Sequence, residues 1–239
     1  MKARYYVANF LLMPLAAVVL TGPAQAAANM PESASNEWAV GLGLGAAWSA
    51  EYRGADSYET KGVPWVQARK GRVSINPVTG LSYDLLKTEN WTLAPSLSYA
   101  EGRENTGALA RFEDVHGSVM AGAIVSWSSG HWQVNGDVAA PVSGDLDGLR
   151  VRGYLRYRGQ INERLSYGVG PGASWGSSGW NQALFDVSAS DAARSGLNTY
   201  YTEGDFVRAS MNGRLTYRLT PLFSVSTIAR YSRLFADAA

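Results

Sequence analysis

Cysteine is absent from all 239 residues, which excludes disulfides, thiol nucleophiles and thiolate metal sites. The lack also suits an exported protein, since no thiol has to be managed in an oxidising compartment. Histidine occurs only twice, at His116 and His131. Beyond the N-terminus no stretch approaches the ~20 apolar residues that a membrane-spanning helix requires. The chain is nevertheless 46% hydrophobic with a mean hydropathy of −0.14, so its apolar residues are dispersed rather than concentrated. Phenylalanine is scarce, 6 residues against 8 Trp and 13 Tyr. That bias favours aromatics with a polar handle, which settle at apolar–water boundaries.

The one continuous apolar segment reads as a secretory signal. Lys2 and Arg4 form its basic region, 7–20 its apolar core, and Ala24-Gln25-Ala26 a small-x-small cleavage site. Residues 1–26 are therefore expected to be removed, with a cut after Ala28 as the alternative, leaving 27–239 as the functional domain. Loss of Lys2 and Arg4 takes the formal net charge from +1 to about −1. With no basic run present, nothing supports nucleic-acid binding.

Period-two alternation dominates the remainder, as in strands with one apolar and one polar face. Trp91, Leu93, Pro95, Leu97 and Tyr99 share one face between Thr92, Ala94, Ser96 and Ser98. Leu165, Tyr167, Val169, Pro171, Ala173 and Trp175 alternate with Ser166, Gly168, Gly170, Gly172, Ser174 and Gly176. From 207 to 219 the apolar positions alternate with Arg208, Ser210, Asn212, Arg214, Thr216 and Arg218. A soluble sandwich also alternates, but its opposite face has no reason to be so rich in Gly and Ser with interspersed Arg. A crowded polar lumen does. Aromatics stand at strand ends, at Trp38, Trp48, Trp91, Tyr99, Trp127, Trp132, Tyr167, Trp175 and Tyr217. Transmembrane barrels place such girdles at both interfaces, about 25 Å apart.

Loop lengths supply orientation. Connections at 49–62, 100–117, 141–148 and 176–206 are long, and those at 70–71, 87–90, 128–131, 159–163 and 219–222 are short. Long loops face outward and short turns face the periplasm in outer-membrane barrels. The alternation holds if 72–86 is split at the turn 76–80, whose Pro77 and Gly80 break a strand. Eleven strands result: 38–48, 63–69, 72–76, 81–86, 91–99, 118–128, 132–140, 149–158, 164–175, 207–218 and 223–234. The expected fold is all-β, an antiparallel transmembrane barrel of about twelve strands with eleven present. The last strand of the even count that bacterial barrels follow is expected to be missing.

Several short segments, taken in order, resemble the MipA/OmpV family of outer-membrane proteins. They are Glu51-Tyr52-Arg53-Gly54-Ala55-Asp56-Ser57-Tyr58, Gly80-Leu81-Ser82-Tyr83-Asp84-Leu85-Leu86 and Ala94-Pro95-Ser96-Leu97-Ser98-Tyr99. The most specific is Phe185-Asp186-Val187-Ser188-Ala189-Ser190-Asp191-Ala192-Ala193-Arg194-Ser195-Gly196-Leu197, and the tail from Tyr231 to Ala239 follows. Asp186 and Asn198 depart from the Gly and Pro usual there. The resemblance implies a scaffold that links the outer membrane to murein-remodelling enzymes. Its implied partners are outer-membrane lipids, a lytic transglycosylase and a penicillin-binding protein. It also implies that the family barrel continues past the tail segment into a closing strand, so this chain is expected to be truncated at its C-terminus.

No catalytic, metal or cofactor site is expected. His116 falls in a long loop, where Glu113 and Asp114 are the nearest acids in sequence, and His131 falls in a short turn at the other end, so they cannot share a site. The polar faces offer one more specific feature. Arg150, Arg152, Arg156 and Arg158 share a face with Tyr154 on one strand, and Arg208, Arg214 and Arg218 share one two strands away. Only Ser and Gly point inward between them. One reading of these seven arginines is an anion-preferring lumen for small solutes. The competing reading is that they pair with lumenal acids such as Asp84 and Asp137 and fill a narrow barrel. In the longest loop, 188–194 reads as a short helix capped by Ser188 or Ser190. A surface adhesin displaying Trp180, Tyr200 and Tyr201 is a third reading.

Overall fold

The computed structural model describes residues 17–21, 37–50, 58–103, 105–202, 206–221 and 223–236. The described strands are β1 (Ala17–Thr21), β2 (Ala39–Ala50), β3 (Tyr58–Lys70), β4 (Val73–Asn76), β5 (Gly80–Tyr83), β6 (Leu86–Lys87), β7 (Trp91–Ala100), β8 (Ser118–Ser129), β9 (Trp132–Ser143), β10 (Arg150–Gln160), β11 (Leu165–Gly176), β12 (Phe206–Arg218) and β13 (Phe223–Ala236). Two helices, α1 (Ser178–Phe185) and α2 (Ala189–Ser195), lie between β11 and β12. The long strands hold 10 to 14 residues, enough for a tilted strand to cross a hydrocarbon core.

All thirteen described strands form one antiparallel sheet. From β7 to β13 each strand pairs with the next, and β2 to β5 do the same. Two short junctions join these arcs. β5 meets β7 at Leu81↔Leu97 and Ser82↔Ser96, and β1 lies between β13 and β2, pairing with 223–226 and 41–44. Above those rows, no described residue pairs with the facing edges of 227–236 and 45–50. The sheet is therefore barrel-like but not closed over its full height.

The faces are inverted relative to a soluble protein. Val40, Leu42, Leu44, Val66, Leu97, Val125, Val169, Met211 and Leu215 all point outward and are exposed. The buried apolar cluster is small: Ala100, Met120, Ala139, Leu146, Trp180 and Leu184, all near the long-loop end. An exposed apolar band this extensive needs a non-aqueous partner.

The eleven sequence-read strands all appear, most within two residues of their expected limits. The strand expected at 63–69 starts earlier, at Tyr58. The one expected at 81–86 breaks in two, because the Asp84 amide bonds to the Arg72 carbonyl and the Leu85 amide to the Leu93 carbonyl. The tail 237–239, most of the 51–58 motif and all of the proposed signal except 17–21 lie outside the described residues. The Ala17–Thr21 strand was not anticipated. Its apolar residues occupy the place between first and last strands where sequence reading found one strand lacking.

Candidate functional site

Aromatic side chains gather at both ends of the strands. At the short-turn end Trp91 lies 6.4 Å from Trp127, Trp132 packs edge-on against Tyr157 at 5.0 Å, and Tyr157 lies 6.3 Å from Tyr167. Trp38 and Tyr217 are exposed at the same end. At the long-loop end Trp48 stacks on Tyr58 at 4.5 Å, with exposed Tyr99 and half-buried Trp175 on the outward faces of their own strands.

The long-loop end carries a roof. Helix α1 sets Trp180 and Leu184 onto Met120, Ala100, Ala139 and Leu146, while the Asn181 amide donates to the Gly176 carbonyl at 2.8 Å. Ser188 caps α2 by accepting from the Asp191 amide at 3.0 Å, as expected, and Gly196 ends it in the left-handed conformation at φ 79°. Asp191 then ties two loops together. It accepts from the Glu113 amide at 2.8 Å, the Ser188 hydroxyl at 2.9 Å and Arg194 at 2.6 Å, and it faces Arg103 at 3.8 Å. Arg103 also donates to the Asp186 and Glu113 carbonyls. Burial alone would raise the Asp191 pKa, but the Glu113, Ser188 and Arg194 hydrogen bonds and the Arg103 charge hold it below the ordinary carboxylate value. Sequence reading missed α1 and this network, because neither helix periodicity nor charge spacing announces a contact between separate loops.

The two histidines lie at opposite ends, as expected. The acid beside His116 is Asp145 from another loop, at 2.8 Å, not Glu113 or Asp114. His131 bonds the Arg158 carbonyl at 2.9 Å. Asp145 is held below its ordinary pKa by hydrogen bonds from the His116 backbone and ring.

Below the roof, cross-strand register orders the polar interior in rows. One row runs Arg158↔Gly168↔Arg214↔Ile228, the next Gly170↔Asn212↔Arg230 beside Arg156, the next Tyr154↔Gly172↔Ser210↔Ser232, and the uppermost Arg152↔Ser174↔Arg208↔Leu234. Glycine on β11 makes this possible. An added Cβ at Gly168 would stand 3.1 Å from the Arg156 Cδ, and one at Gly172 would stand 2.6 Å from the Tyr154 ring. Large side chains of β10 thus lean across the β11 wall.

The seven sequence-picked arginines divide. Arg152 donates to Asp137 at 2.8 Å and Arg150 lies 3.8 Å from the same carboxylate, so these two follow the acid-paired reading. Asp84 bonds Arg69 instead of the stripe. Arg218 ends β12 at the short-turn end and is exposed. Arg156, Arg158, Arg208 and Arg214 have no carboxylate within 4 Å among the described residues. The Arg156 and Arg158 side chains lie over Gly168, whose β12 partner is Arg214, and Arg208 stands opposite Ser174 three rows above. Arg230 was not singled out from the sequence, although β13 alternation places it inward; its Nε donates to Asn212 at 2.8 Å.

A family model described as MltA-interacting protein MipA matches residues 42–239, from β2 through the C-terminal tail. The chain belongs to this family. No curated protein and no solved structure matches the chain significantly. In this MipA-family chain, the segment from Phe185 to Leu197 that carries the densest resemblance builds α2 and the Asp191 network. Its function in the fold is to anchor the roof.

Proposed function

We propose that this protein is an outer-membrane barrel that serves as a scaffold for murein remodelling, docking a lytic transglycosylase at its periplasmic end. Membership of the MltA-interacting protein family over residues 42–239 carries this reading. Support for the membrane comes from the exposed apolar outer face and its two aromatic girdles. The short turns between β3 and β4, β6 and β7, β8 and β9, β10 and β11, and β12 and β13 offer little surface one by one. A partner has to read several together, including charged groups such as Arg72, Glu89, Glu163 and Arg164. A penicillin-binding protein joins as a second client of the same assembly. The role is one of binding rather than catalysis.

The reading includes export with cleavage after Ala26. Cleavage there removes Ala17–Thr21 from between β2 and β13, and the mass of the membrane-embedded chain reports it.

The docking test uses a photo-crosslinking side chain at Asn162 or Glu89 in intact envelopes, with the same group at Asn198 in the opposite loops as control. Adducts with a murein hydrolase from the short-turn positions alone are the expected outcome. Absence of any such adduct, or equal yield from Asn198, overturns the scaffold reading.

A further inference from the structure

We propose that the barrel interior contains a binding site for a multiply charged, phosphate-type oxyanion, built from Arg156, Arg208, Arg214 and Arg230. The site is independent of the scaffold reading and stands even if no murein enzyme docks.

The contrast within one lumen carries the inference. Where this interior places an arginine for structure, it supplies an acid: Asp137 for Arg152 and Arg150, and Asp84 for Arg69. The four named arginines have no such acid within ion-pair distance among the described residues. The Arg156 and Arg158 side chains both lie over Gly168, whose register partner on β12 is Arg214; Arg230 stands one row above, opposite Asn212, and Arg208 two rows above that. Like charges gathered from β10, β12 and β13 repel, and an interior selected only to be filled would space or neutralise them.

The β11 wall in the rows of Arg214 and Arg230 carries only glycine. Gly168 and Gly170 stand between the β10 and β12 arginines, so no β11 side chain separates them. The alternating rows present donors at successive heights, with Asn212 beside Arg230 and Tyr154 above. Guanidinium forks match the paired oxygens of phosphate-type anions, and each fork donates two parallel bonds. A monocarboxylate would neutralise one charge of four. A group with two or more negative charges satisfies the set.

The roof favours holding over passage. Trp180 and Leu184 are buried against the barrel wall above this zone, and the β4–β5 turn leans across the interior, its Val78 carbonyl 3.5 Å from Arg152. Access is from the short-turn end, where Arg158 and Arg214 are exposed. The anion is either soluble or the headgroup of a phospholipid, and the chemistry of recognition is shared.

The test uses full-length protein extracted folded from membranes into an uncharged detergent. Calorimetric titration with pyrophosphate and with inorganic phosphate, at constant ionic strength, is compared for wild type, Arg156→Gln and Arg214→Gln. Expected is saturable pyrophosphate binding, tighter than phosphate, weakened at least tenfold in each variant and unchanged in Lys87→Gln. The melting temperature without added anion should rise in Arg156→Gln, because repulsion is relieved, while the pyrophosphate-induced rise disappears; loss of a merely structural contact would lower the first. Phospholipid released by pyrophosphate, detected by mass spectrometry, identifies a headgroup occupant, and binding without release identifies a soluble one. Absence of saturable binding, or equal binding by wild type and both arginine variants, overturns the site.

Discussion

Arg103, in the connection after β7, and Asp191, in α2, meet 3.8 Å apart with side chains only 9% and 5% exposed. Their contact fastens two loops that are distant in sequence and holds the α1–α2 segment over the barrel mouth. Removing one partner of a buried charge pair leaves the other uncompensated, at a cost of roughly 3 kcal/mol. Asp191→Ala is therefore expected to speed hydrogen exchange about a hundredfold in 105–115 and 186–200, with the barrel strands unchanged. Equal exchange in the variant and the parent would show that the loops are held by other contacts.

The same carboxylate sets a pH dependence. Its folded-state pKa lies below the unfolded value of about 3.9, so its contribution is complete above that value and is lost as pH falls through the folded one. Protection of the two loops should be constant from about pH 7 to 5 and drop below about pH 4. Asp191→Ala should show no drop of its own in that window. Hydrogen exchange at matched intrinsic rates reads both.

Glycines facing in and out of the wall should respond oppositely. An added Cβ at Gly170 overlaps the Leu155 carbonyl oxygen of the neighbouring strand, a backbone atom that cannot swing aside, whereas at Gly213 nothing lies within 4 Å. Gly213 lines a shallow apolar hollow of about 270 Å³ on the outer face with Val169, Leu215 and Ala229. Gly170→Val is expected to abolish the compact, heat-modifiable form seen on denaturing gels. Gly213→Ala should be neutral or stabilise by up to about 1 kcal/mol.

Trp180 tests the roof. It is 8% exposed and packs in the same cluster as fully buried Met120, and its ring lies 5.5 Å from the Arg150 guanidinium. Trp180→Ala should cost about 3–5 kcal/mol of local stability and admit small solutes from the long-loop side. Planar-bilayer conductance rising above the parent level is the expected outcome. An unchanged, near-zero current would place the barrier elsewhere in the lumen.

The sequence by itself determined the strands. Alternation of period two is a local property, and it located all eleven expected strands. Pro77 and Gly80 likewise marked the β4–β5 turn, and Ser188 the start of α2. The aromatics at strand ends were legible for the same reason, because strand ends and outward faces follow from counting. Only the tertiary structure decided which inward residues meet. Arg150 and Arg156 occupy equivalent positions in the alternation, yet register sets one beside Asp137 and the other among arginines. Asp145 beside His116 and Asp191 beside Arg103 join separate loops, and the Ala17–Thr21 strand sits between β2 and β13. Such pairings depend on how the sheet curves and on cross-strand register. A one-dimensional pattern fixes which face a residue takes, but not which neighbour it finds there.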